Sequence, residues 1–235
     1  MPHPLSALPL AVAAVLSLSL AAARADDVPA HLTVTGEGRV DAAPDMAIVT
    51  LGVQTQAETA AGALAANSER LAAVIERLRA GGIEPRDLQT SGLNLGPRYE
   101  YRDNRAPRLV GYEASNQLVV RVRALDRVGA ILDAAVADGA NTLGGLSFTL
   151  ADPQPVRDGA LAAAVGEARR KAAIIAEAAG ITLGPIVSIS EQVAYSGPQP
   201  MPRLAMADAA EAAVPVEAGE LRYAATVTLV YRIAD

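Results

Sequence analysis

The segment LTVTGEGRVDAAPDMAIVTLGV, residues 32–53, decides the fold class. Leu32, Val34, Gly36, Gly38 and Val40 alternate with polar positions, and Val49, Leu51 and Val53 do so again. A period of two is the mark of a strand with one buried face. Between the runs, Ala43-Pro44-Asp45 predicts a bend, because proline presets φ and aspartate favours turns. The period then changes. Over residues 60–80, Leu64, Leu71, Val74, Ile75 and Leu78 share one helical face, and Gly81-Gly82 supplies the stop.

The rest of the chain repeats these two kinds of element. Residues 88–101 and 109–124 read as strands joined by a polar turn, a long β-hairpin in which Leu118, Val120 and Val122 point one way. A second helix is predicted over 126–138, with Val128, Leu132, Ala135 and Val136 inward, and a strand over 143–150. Asp152-Pro153 starts a third helix, which runs to Ala179 and stops at Gly180. Its face of Leu161, Ala164, Val165, Ala168, Ala172 and Ile175 is mostly small. Strands over 186–194 and 221–233 close the chain, separated by a Pro/Ala-rich loop at 196–220. The expected fold is α+β: a mixed, largely antiparallel sheet with about three helices packed on it and a long hairpin. "AGGIEPRDLQTSG" and "AAGITLGPIVSIS" both read as helix end, Gly-Ile, short turn, strand, so residues 26–235 form a single domain or two pseudo-repeated halves.

The first 25 residues stand apart. An apolar Ala/Leu/Val stretch ends in Ala23-Arg24-Ala25, an A-x-A pattern that predicts a signal peptide over residues 1–25 and export to the periplasm. An uncleaved anchor is the other reading. After cleavage 210 residues (235 − 25) would remain, with 19 basic and 26 acidic side chains, a balance of −7. No later run is long and apolar enough to span a bilayer. The acidic balance argues against general nucleic-acid binding. With no cysteine, disulfides and thiol chemistry are excluded.

Polar chemistry has few candidates. His31 is the only histidine after residue 25, and one histidine makes neither a zinc site nor a triad. No pattern asks for a cofactor or metal. Glu191 shares a strand face with Val187, Ile189 and Val193, so strict alternation predicts a buried structural carboxylate. Glu100 and Glu113 flank the hairpin as a weak carboxylate pair. Met201 and Met206 lie in the long loop, where they could take up oxidant or a soft metal. Gly36-Glu37-Gly38 lacks the further glycine or lysine of a phosphate loop. The hairpin is the strongest binding candidate. Arg98, Tyr99, Tyr101, Arg102 and Tyr112 concentrate there, and Tyr and Arg are enriched at interface hot spots.

"TVTGEGRVDAAPDMAIVTLGV", "PRYEY…GYEASNQLVVRV", "DAAVADGANTLGGLSFTLADP", "SISE" and "YAATVTLVYRI" together resemble the SIMPL-domain family, which includes the YggE-type and periplasmic immunogenic proteins. The resemblance covers essentially all of residues 26–235. It implies an exported α+β protein that is oligomeric, ring-like in one member, with a role in resistance to oxidative stress. It brings no agreed catalytic residues. The expected function is therefore a non-enzymatic periplasmic homo-oligomer protecting the envelope. Two alternatives stay open: a monomeric module using the Tyr/Arg hairpin for an envelope protein or anionic envelope ligand, and a carboxylate-dependent hydrolase around Glu113 or Glu191.

Overall fold

The computed structural model describes residues 30–102, 105–192, 199–201 and 216–234. The predicted signal peptide, Met206 and most of the 196–220 loop lie outside the described residues.

The chain opens with β1 (His31–Ala42) and β2 (Met46–Ala57), followed by α1 (Ala60–Ala80). A 3₁₀ turn, Pro85–Asp87, leads into the hairpin of β3 (Leu88–Glu100) and β4 (Arg108–Val122). A second turn at Leu125–Arg127 leads into α2 (Val128–Ala137) and β5 (Thr142–Thr149). Then come α3 (Gln154–Ala179), β6 (Thr182–Gln192), the short β7 (Gln199–Met201) and β8 (Glu220–Ala234). The expected α+β class is correct, and β7 lies within the predicted long loop.

The strands divide between two sheets, and every pairing is antiparallel. One runs β3-β4-β2-β5; the other runs β1-β8-β6, with β7 also on β8. The bend at Pro44-Asp45 separates them, since β1 pairs along its whole length with β8 rather than folding back on β2. Asp45 fixes the bend: its N–H donates to the Thr149 carbonyl at 3.2 Å, and its carboxylate accepts from the Ala151 N–H at 2.7 Å.

Helices α1 and α2 cover the first sheet. Thr59 caps α1 by accepting from the Gly62 N–H at 3.1 Å, and Gly82, at φ 89°, turns the chain away. Leu71, Val74 and Leu78 of α1 and Val128, Ile131 and Leu132 of α2 pack on Val49, Leu51, Val53, Leu118, Val120 and Val122. Val136, expected inward, is exposed. Two polar side chains, Thr55 and Asn67, interrupt the apolar layer. Asn67 is fully buried, and its Nδ2 donates to the carbonyls of Val53 (2.7 Å) and Ala114 (3.1 Å), tying α1 to both β2 and β4.

Helix α3 covers the second sheet with different side chains. Asp152 accepts from the Gln154 N–H at the helix start. The buried residues are Ala160, Ala164, Ala168, Ala172 and Ala176, one every four residues. They lie on β1 and β8. Gly36 and Gly38 explain why the strand is glycine-rich. A Cβ on Gly36 would sit 2.1 Å from the Ala164 carbonyl oxygen, and one on Gly38 would sit 1.9 Å from that of Ala160. Backbone meets backbone, so only hydrogen fits.

Candidate functional site: the end of the hairpin

Strand β2 supports the hairpin only part of the way. Its pairing with β4 ends at Ala57 opposite Tyr112. Beyond that point Arg98 pairs with Gly111, Tyr99 with Leu109 and Glu100 with Arg108, with no third strand beside them among the described residues. Gly111 makes the exit possible: at φ 145° its Cα lies so near β2 that a Cβ would be 2.7 Å from the Ala57 carbonyl oxygen. A two-stranded ribbon is marginal in water on its own. This one nevertheless carries large apolar groups into solvent: Tyr101 is 77% exposed, Tyr99 48%, and Leu109 and Val110 are exposed as well.

Of the predicted interface residues, Arg98, Tyr99, Tyr101 and Arg102 fall at this end of the hairpin and are exposed, while Tyr112 is half-buried at its base. Two polar clusters hold the ribbon. At the base Gln56 Nε2 donates to the Glu113 carboxylate at 3.0 Å, and Arg98 donates to Gln56 Oε1 with Glu113 3.9 Å away. At the tip Glu100 accepts from Arg102 (2.9 Å) and Arg108 (3.0 Å). Arg102, then Arg108, hold the Glu100 carboxyl below the usual range. Each carboxylate of the pair is thus engaged by its own arginine neighbours. These exposed ion pairs add little stability, but they fix the direction of long side chains.

The burial expected for Glu191 is corrected by the structure. Glu191 is exposed. Its face was read correctly: it lies opposite Val227, and Ile189 opposite Leu229, both buried against α3. Helix α3, however, lies over β1 and β8 and scarcely reaches β6. The edge strand is uncovered, and Ile189 beside Glu191 is 64% exposed. His31 opens β1 opposite Arg232. Among the described residues, no group of three His, Asp or Glu side chains is placed to hold a metal ion, and no helix is long and apolar enough to cross a membrane.

The ion pair between buried Asp87 and exposed Arg123 was missed from the sequence. Asp87 is buried and accepts a two-pronged hydrogen bond from Arg123, at 2.9 and 3.0 Å. That fork holds its carboxyl below the ordinary value against the opposing effect of burial, with Arg86 and Arg121 adding further positive charge. A conspicuous signal was absent: Asp87 lies at a predicted strand start, where acids are common. Asn67 could have been found, since it sits four residues from Ala63 and four from Leu71 in the inward stripe of α1.

Comparison with known proteins gives a consistent result. Residues 32–231 match SIMPL, a protein of unknown function (DUF541). The chain is 43% identical over 215 residues to the 26 kDa periplasmic immunogenic protein of Brucella melitensis, covering 87% of this chain and 85% of that protein. It is 34% identical over 213 residues to the uncharacterized protein YggE of Escherichia coli K12, covering 90% of this chain and 85% of the other. YggE of Edwardsiella ictaluri is 33% identical over 199 residues, 83% of each chain. The chain belongs to the SIMPL family.

Proposed function

We propose that this chain is an exported periplasmic protein that works by self-assembly rather than by catalysis, its copies meeting through the end of the hairpin. A part in protecting the envelope, including against oxidative stress, is the role this reading assigns to the assembly. The observation that carries it is the unsupported ribbon past Ala57, which places Tyr99, Tyr101 and Leu109 in water on a two-stranded element. Exposed apolar groups of this size on an unsupported ribbon are stabilised when a second surface covers them. The name of the Brucella relative supports the compartment. The surroundings of Glu100 and Glu113, each tied to arginine, and the open position of Glu191 favour no hydrolase.

The test is the mass of residues 26–235 in solution, by size-exclusion chromatography with light scattering, beside the Tyr99→Ala and Leu109→Ala variants. A discrete assembly that dissociates in both variants, with unchanged circular dichroism, is the expected result. A monomeric wild-type chain overturns it and turns the Tyr/Arg end of the hairpin into a ligand site.

A further inference from the structure

A second feature lies on the other edge of β2. Strand β5 pairs with β2 from Met46 opposite Thr149 to Gly52 opposite Thr142, then turns away. The ladder continues for one more step by other means. The Asn141 N–H donates to the Gly52 carbonyl at 2.9 Å. The Asn141 side-chain amide then bonds Gln54 as a peptide group would: the Gln54 N–H donates to Oδ1 and Nδ2 donates to the Gln54 carbonyl, both at 2.8 Å. Main-chain groups on one edge recur every second residue. The N–H and C=O of Gln56 therefore aim the same way, and no described residue pairs with them there.

Beside this open step is a cleft of about 430 Å3, lined by Gln54, Thr55, Gln56, Ala66, Arg70 and Asn141. Its depth is limited by Thr55, which is buried with its hydroxyl donating to the Ala63 carbonyl. Its far wall is α1. Arg70 stands at the Asn141 end, since a Cβ on Gly139 would lie 3.5 Å from the Arg70 Cβ. The Arg70 guanidinium is exposed and makes no ion pair among the described residues. Of the acids around it, Glu69 is one position round the helix and does not face it, Asp138 is paired with Arg77, and Glu113 is held by Gln56.

We propose that this cleft binds the carboxyl-terminal end of a partner polypeptide, which adds a strand to β2 at Gln56 and places its terminal carboxylate on Arg70. Strand addition gives affinity through main-chain hydrogen bonds. Asn141 occupies the β2 edge at Gln54, so a strand added at Gln56 cannot continue along the edge past it. A cation at that closed end, in a chain with a formal charge of −6, matches a carboxylate.

The probe is a displayed pool of random heptapeptides with free carboxyl ends, selected on residues 26–235. Enriched peptides are then made as the free acid and as the amide, and their binding is followed by fluorescence anisotropy. The amide is expected to bind about tenfold more weakly or worse, and Arg70→Ala to weaken the acid to the level of the amide. Gln56→Pro removes the open N–H and is expected to abolish both, whereas Gln56→Ala, which loses only the side-chain bonds to Glu113 and Arg98, is expected to keep both. Should Gln56→Pro misfold by circular dichroism, hydrogen exchange of the Gln56 amide in the wild type replaces it, with slowing expected when peptide is bound. Light scattering on the same samples reads assembly separately, so failure of this proposal and failure of the assembly reading are distinct. The proposal is overturned if the pool enriches nothing beyond a control with the cleft filled by Ala66→Trp, if acid and amide bind alike, if Arg70→Ala changes nothing, or if Gln56 exchange is unaltered by bound peptide.

Discussion

Helices α1 and α3 each lie on an antiparallel sheet, and they use opposite means. Under α1 the layer is filled by Leu71, Val74, Leu78 and Leu118. Under α3 the closest contact is made without side chains: alanines at every fourth position rest on Gly36 and Gly38, and Val34, Val227, Leu229 and Tyr231 fill the layer around it. The first interface gains from buried apolar area. The second gains from the number of atom contacts at close range, each small and collectively large. Shape tolerance differs accordingly. A layer of leucines can shift a rotamer to absorb a change. The backbone contact at Gly36 and Gly38 cannot.

The sharpest way to break this comparison is Gly38→Val. Its branched side chain would press on the Ala160 carbonyl, and a loss of about 3 kcal/mol or more is expected in urea denaturation. Gly96→Ala is the control: nothing lies within 4 Å of its Cβ position, and a change under about 0.5 kcal/mol is expected. Equal midpoints for the two variants would end the distinction. Leu78→Ala should cost about 2–4 kcal/mol by opening a cavity in the aliphatic layer. A value near zero would mean that this layer collapses freely. Next, Asn67→Ala removes the two hydrogen bonds that its amide donates to β2 and β4, for an expected loss of about 1–2 kcal/mol in the same assay. No loss would show that the amide is dispensable between aliphatic neighbours.

The smallest effect is pH-dependent. Arg123 lowers the Asp87 carboxyl in the folded chain. That contribution is fully present above the unfolded value of about 4 and disappears as pH falls from there through the depressed folded value. Thermal melts from pH 6 downward should show the gap between the wild type and Asp87→Asn narrowing below about pH 4. A constant gap would remove the ion pair as its cause.

Much of this architecture is written in local pattern. Alternation over Tyr223, Val227, Leu229 and Tyr231 marks β8, and the Leu71, Val74 and Leu78 stripe gives α1 its bounds. Gly180, at φ 66°, stops α3 where a left-handed residue is needed. The exposed hairpin residues were also legible, because tyrosine and arginine cluster there in sequence. Pattern does not state partners. β1 pairs with a strand at the other end of the chain, so the division into two sheets was not legible. Alternation gave Glu191 the correct face and the wrong burial, because burial depends on where α3 lies. The cleft at Gln56 was hidden for the same reason: Gln54 and Asn141, 87 positions apart, meet only in the fold.

The uncovered strand β6 has one more consequence. Its run from Ile186 to Ser190 is uncharged, rich in β-branched residues and, among the described residues, unpaired along one edge, the kind of segment on which chains stack into fibres. Glu191 places a negative charge at the end of that run, and Pro185 removes a donor at its start. The carboxylate that the alternation pattern put in the core serves instead as a guard against aggregation, and its worth is to be sought in solubility rather than in the melting temperature.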